Sequence, residues 1–169
     1  MPRPDLSRVP EFYHGYINKV AEDDLVSSFD NQTPILFDFL ESVPAAKHDY
    51  AYAAGKWTIK ELVQHMIDAE RVFAYRSLSF ARFDKTNLPG FDENSWAANS
   101  NATARNWNDL IAEFKAIRQS TTYLFSSFND EQLDATGTAN NKSIYVLALG
   151  FICIGHCKHH IDVMKERYL

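Results

Sequence analysis

An apolar stretch from Tyr145 to Val163 carries two histidines, His156 and His160, four residues apart. Drawn as a helix at about 100° per residue, Leu149, Ile152, His160 and Val163 all fall within about 40° of His156. Both imidazoles therefore occupy the centre of the apolar stripe. A helix with such a stripe must be enclosed by other elements, and its two rings must find partners there. A buried imidazole without them leaves a nitrogen donor and a nitrogen acceptor unsatisfied, which is costly.

Three further segments carry apolar residues at helical spacing. Asp23 or Asp24 offers an N-cap for a helix to about Ser42, with Leu25, Phe29, Leu36, Phe39, Leu40 and Val43 on its apolar side. Pro34 is expected to kink or interrupt it, because proline removes a ladder donor. Thr58-Ile-Lys-Glu61 fits the capping-box pattern and predicts a second helix to about Phe83. A third should start between Thr103 and Asn106 and end near Phe128, and Ser143 is the expected N-cap of the last, which runs to about Arg167. Alternating strand patterns are absent. The expectation is an all-α four-helix bundle, a single domain over residues 1–169. Residues 1–22 form an N-terminal arm whose first ten positions, with Pro2, Pro4 and Pro10, are unsuited to regular structure.

Composition narrows the function classes. With 17 basic against 22 acidic residues the net charge is -5, and no Lys/Arg cluster supplies the stripe that nucleic acid requires. No apolar run reaches membrane-spanning length, and the start of the chain has no apolar signal core, so neither membrane nor export is expected. Cys153 and Cys157, four apart on one predicted helix, read as free thiols in a reducing cytoplasm. Cys153 is expected to pack as a small hydrophobe, and Cys157 to be an inert neighbour.

His65 sits on the second helix with Leu62, Ala69 and Val72 near it on the wheel. With His156 and His160 it would complete a three-nitrogen site for a divalent transition metal, leaving positions open for water or substrate. The alternative for each ring is a satisfied core histidine. His14 and His48 fall outside the bundle helices and read as solvated surface. Arg76 shares the His65 face three turns on and is a candidate for an anionic substrate group. Asp68 and Glu61 flank that face and are candidates to orient an imidazole, although Glu61 has a capping role and Asp68 or Arg76 can serve ordinary surface pairs. The segment Asp84–Ala102, with Phe91, Asp92 and Trp96, is long enough to be a wall or lid of a pocket, or simply to pack over the bundle end.

Lys56-Trp-Thr-Ile-Lys-Glu-Leu-Val-Gln-His65, Ala69-Glu-Arg-Val-Phe-Ala-Tyr-Arg-Ser-Leu, Leu88-Pro-Gly-Phe-Asp-Glu93 and Gly155-His156-Cys-Lys-His-His160-Ile-Asp-Val-Met-Lys-Glu-Arg-Tyr168 together resemble the DinB-like (DinB/YfiT) superfamily. The likeness spans Glu11 to the end and keeps its motifs in order. It implies a four-helix bundle with a long crossover connection, often a homodimer. It also implies a metal site of one histidine on the second helix and two on the fourth, here His65, His156 and His160. Nickel or zinc is the metal implied, with iron or manganese behind them. The activities implied are a metal-dependent hydrolase or a transferase using a low-molecular-weight thiol, acting on a small-molecule substrate. Asp68, Arg76 and Asp92 are the further catalytic candidates. The competing class is a non-catalytic dimeric bundle whose metal or histidine site is structural and which serves as a binding module.

Overall fold

The computed structural model describes residues 3–169, so Pro2 lies outside the described residues. Pro4 and Pro10 flank short 3-10 turns at Leu6–Arg8 and Glu11–Tyr13. The regular elements then run α1 His14–Lys19, α2 Leu25–Ser42, α3 Ile59–Ala81, β1 Asn87–Leu88, α4 Glu93–Asn99, α5 Trp107–Ser126, α6 Asp130–Asp134, β2 Thr136–Ala139, β3 Lys142–Tyr145 and α7 Val146–Arg167. The long helices α2, α3, α5 and α7 build the expected bundle, each of α2 and α3 packing on both α5 and α7.

Local chemistry explains the boundaries. Asp24 caps α2 by accepting from Ser27 N, and Thr58 and Glu61 form both halves of the capping box at α3. Asn106 caps α5 through Asn108 N. Pro34 does not interrupt α2. It lies on the exposed side of the helix, where the carbonyl deprived of its N–H partner faces water. The last helix starts at Val146, later than a Ser143 cap would place it, because Ser143 is paired with Thr138 in the β2–β3 ladder.

Side-chain pairs fix the helix directions. Phe29 meets Phe125 while Phe37 meets Phe114, so α2 and α5 run antiparallel. Leu25 packs at Gly150 and Lys165 lies over the Phe39 ring, so α2 and α7 are parallel. Trp57 O accepts from Tyr168 Oη at 2.8 Å and His65 meets His160 further along, so α3 and α7 are antiparallel. Gln64 bonds Arg105 and Glu70 bonds Arg118, which makes α3 and α5 parallel. The order is thus up, down, down, up. Two consecutive parallel helices require the chain to return the full length of the bundle, roughly 34 Å for the 23 residues of α3. That is the physical reason for the long connection after α3.

This connection is not the plain loop expected over 84–102. It contains β1, α4 and a 3-10 turn at Ala102–Ala104. Strands, unexpected from the sequence, occur as a small sheet of order β1-β2-β3. β1 pairs parallel to β2 through Asn87–Thr138 and Leu88–Ala139, and β2 pairs antiparallel to β3. Asn140 and Asn141 turn the β2–β3 hairpin with φ of 50° and 58°, the left-handed values a two-residue I′ turn needs.

Buried apolar residues form two groups stacked along the bundle, one around Leu25, Phe29, Phe80 and Phe151, the other around Leu40, Met66, Phe114 and Met164. A polar layer lies between them. There Arg118 donates to Glu70 from Nε at 2.9 Å and Nη2 at 2.6 Å, with both side chains 1% exposed. Arg118 Nη2 also lies 3.1 Å from Cys157 Sγ. Both cysteines are free, and Cys153 is buried as the expected small hydrophobe, whereas Cys157 is buried against Arg118 rather than being an inert neighbour.

Candidate metal centre

His65 on α3 and His156 and His160 on α7 meet beside this polar layer. His65 Nε2 lies 3.1 Å from His156 Nε2, and His160 Nε2 lies 3.0 Å from the same atom. Potential ligand atoms of the three rings all lie within 4.8 Å of one another. The i, i+4 spacing stacks the α7 pair, and antiparallel packing brings His65 of α3 opposite. Tyr16 of α1 sits edge-on to His156 at 5.4 Å, Phe73 does so at 5.8 Å, and Trp57 lies 4.9 Å from His65.

Burial holds all three imidazoles neutral at physiological pH. Desolvation is the main cause in each case, and it pushes His65 down to about 4 against an opposing pull from Glu93. His156 and His160 are held well below the usual imidazole range, by burial first and then by their histidine neighbours. For His156 the Arg118 charge adds to the effect.

Three neutral rings in this arrangement cannot satisfy one another. The Nε2 of an imidazole carries one in-plane hydrogen or one lone pair, never both. His156 Nε2 can therefore make only one well-directed hydrogen bond, so one of its two contacts is left unsatisfied. His160 Nδ1 is in addition buried with no hydrogen-bond partner. A divalent cation accepted by all three lone pairs removes the conflict among the Nε2 atoms. Tetrahedral coordination by imidazole at zinc distances separates ligand nitrogens by about 3.3 Å, close to the 3.1 and 3.0 Å separations of His156 Nε2 from its two neighbours. The donor set fits a transition metal on these grounds.

The rings open onto a cavity of about 480 Å³ lined from α3 by His65, Ala69, Phe73 and Arg76 and from α7 by Leu149, His156 and His160. The α1 end contributes Phe12, Tyr13 and Tyr16, and the segment after α3 contributes Gly90, Phe91 and Glu93. Of the three catalytic candidates read from the sequence, Arg76 lines this cavity. Asp68 does not: it accepts from Gln64 Nε2 at 2.9 Å and lies 3.6 Å from Arg71. Asp92 caps α4 through Ser95 N. Glu61 is engaged with Thr58 and orients no imidazole. Phe91 is part of the wall as anticipated, but Trp96 is not: it packs on Phe91 from outside the cavity and is 44% exposed. His14 and His48 are half-buried rather than solvated. Their Nε2 atoms meet the Val9 and Val43 carbonyls, and His48 stacks on Trp107 at 4.0 Å.

Glu93 and Tyr16 escaped the sequence reading. Neither lies on the apolar stripe of a long helix, so periodicity could not single them out. The one available signal was the position of Glu93 at the end of the Leu88–Glu93 motif.

A family model for the DinB superfamily matches residues 28–164. The chain belongs to the DinB superfamily. Its fold is similar to that of YfiT from Bacillus subtilis, described as a probable metal-dependent hydrolase with an unusual four-helix bundle topology. The TM-score is 0.70 at 18% identity, over 96% of this chain and 89% of that one. A DinB-like protein of Bacillus subtilis, YjoA, aligns with TM-score 0.61 at 18% identity over 84% of this chain and 87% of its own. No curated protein matches the sequence. Among the described residues of this DinB-superfamily chain, no helix is long and apolar enough to cross a membrane.

Proposed function

We propose that this chain is a metal-dependent hydrolase of a small molecule, with His65, His156 and His160 as the metal ligands. The observation that carries the reading is that three converging Nε2 atoms form part of the wall of an open cavity. A structural metal site is closed by four protein ligands, whereas a catalytic one keeps a position for water or substrate. Three neutral imidazoles suit zinc or nickel and leave the full divalent charge on the ion. Bound there, the ion supplies Lewis acidity at its open position.

The protein's own contribution is the shape and charge of the cavity. Tyr16, Phe73 and Trp57 pack around the rings and limit access of bulk water. Glu93 is the carboxylate that lines the cavity, and its field reaches both His65 and Tyr16. In this reading Glu93 accepts the proton released by the attacking nucleophile. The description of YfiT as a probable metal-dependent hydrolase lends support.

The purified chain is expected to hold an equimolar divalent ion, and His65→Ala and His156→Ala are expected to lose it while keeping their helix content. Hydrolysis of an ester and amide panel should follow metal loading and fall in Glu93→Gln. Turnover that depends on an added thiol would move the assignment to a thiol-dependent transferase. If both histidine variants bind the ion as well as the parent, the metal reading fails altogether.

A further inference from the structure

The slot between α3 and α7 ends in a charge that the three histidines leave unused. His65, Ala69, Phe73 and Arg76 all line the cavity. At about 100° per residue they fall within about 80° of one another, a single stripe along α3. Because α7 runs antiparallel, His65 lies opposite His160 at one end, and Arg76 lies towards Leu149 at the other. Arg76 is 5% exposed, yet among the described residues its only hydrogen bond is Nη2 donating to Pro89 O at 2.9 Å. Among the described residues no carboxylate pairs with it, whereas buried Arg118 has Glu70. Among the described residues the side-chain nitrogen and oxygen atoms that are both fully buried and unbonded are Thr33 Oγ1 and His160 Nδ1. The remaining Arg76 donors are therefore not sealed in the core, and Arg76 lines the slot. A desolvated guanidinium without a counter-ion is costly, and its planar fork of N–H groups matches a carboxylate.

We propose that Arg76 is the anion subsite of this cavity and that the ligand is an elongated monocarboxylate with an apolar body. This deepens the reading of the cavity as a substrate site and rests on it. The carboxylate pairs with Arg76, and the apolar body lies along Ala69, Phe73 and Phe91. The far end of the ligand then reaches the histidines. The two ends of the stripe are roughly 16 Å apart at the backbone, and the arginine side chain leans back toward the N-terminus of α3, shortening the span a ligand must bridge. One buried guanidinium balances one negative charge, which favours a carboxylate over a dianionic phosphate. Lys142, exposed at the same end of the cavity, adds to the positive field there.

The probes are 4-phenylbutanoate and its neutral amide, titrated calorimetrically at neutral pH into the full chain, both as purified and after EDTA treatment. The acid is expected to bind roughly 10-fold tighter than the amide, or more, in both preparations. That preference should vanish in Arg76→Gln and persist in weakened form in Arg76→Lys, with metal stoichiometry unchanged in both. The parent comparison needs no variant, so a poorly folding Arg76→Gln does not remove the test. Equal affinity of the parent for the two probes would overturn the assignment. So would a preference that survives Arg76→Gln, one that is lost in Lys142→Gln instead, or one that appears only with metal present. The EDTA-treated arm decides the anion subsite even if the histidines hold no ion, so the two readings fail separately.

Discussion

His65 Nε2 and His156 Nε2 lie 3.1 Å apart although ninety-one positions separate them in the chain. A ligand that holds both ties α3 to α7 and stabilises only the folded state. Under the metal reading, zinc or nickel at a hundred times its dissociation constant should therefore add about 2.7 kcal/mol to folding stability. The expected observation is a rise in Tm on metal addition that EDTA reverses, with helical circular dichroism retained after chelation. The two apolar groups of the bundle do not depend on the ion, so the fold should survive its removal. His65→Ala should abolish the metal-dependent rise. A chelated protein that unfolds outright would instead point to a structural site.

The same histidines set an acid limit on the metal-free protein. His65 titrates at about 4 in the fold against an ordinary value of 6.5, and burial is the main cause. Its folded pKa lies below the unfolded one, so its contribution is fully present above 6.5 and is lost as the pH falls toward 4. Every tenfold loss of proton affinity on folding is worth about 1.4 kcal/mol. His156 and His160 act with the same sign. Asp68, whose pKa burial raises, acts in the opposite sense. Urea titrations of EDTA-treated protein between pH 6.5 and 4 should show falling stability with a shallower slope in His65→Gln. Identical slopes would mean that the ring is hydrated rather than buried.

Glu70 and Arg118 are each 1% exposed and joined by two nitrogens of the guanidinium. Removing one partner strands the other charge, at a cost of about 3–5 kcal/mol. Arg118→Met and Glu70→Met should each show a loss of that order in denaturant unfolding. The double variant should lose less than the sum, because neither charge is then left alone. Additive losses would show that the pair is not coupled.

The parts of this molecule that were legible in the sequence are those written in long periods. Thr58 and Glu61 announced the start of α3, and the His156–His160 spacing placed two rings on one stripe of α7. The sheet was not legible by the same means, because strands of two to four residues hold too few positions for an alternation to register. Its turn was written in plain chemistry nonetheless. Asn140-Asn141 between short segments is a favourable pair for left-handed backbone, and reading it would have exposed the hairpin and moved the start of α7 past Ser143. The cavity wall was hidden for a different reason. Glu93 and Tyr16 come from the connection and the arm, and their relation to His65 exists only once the packing of those segments on the bundle is known.

Gly155 is where the arm meets the bundle, and it makes a separate prediction. A Cβ at this position would lie 2.0 Å from the carbonyl oxygen of Tyr16. Backbone cannot swing aside as a side chain can, so Gly155→Ala must push α1 off α7. Alanine gains about 1 kcal/mol of helix propensity over glycine, while overpacking of this kind costs about 1–3 kcal/mol. The clash should win, and the variant should be less stable than the parent. The displaced segment carries Tyr16, whose ring covers His156. Hydrogen exchange should therefore rise across residues 14–19 while α2, α3 and α5 stay protected. Metal stoichiometry should be unchanged, because none of the three histidines belongs to α1. A variant more stable than the parent, with unaltered exchange over that segment, would show that α1 does not lie against Gly155.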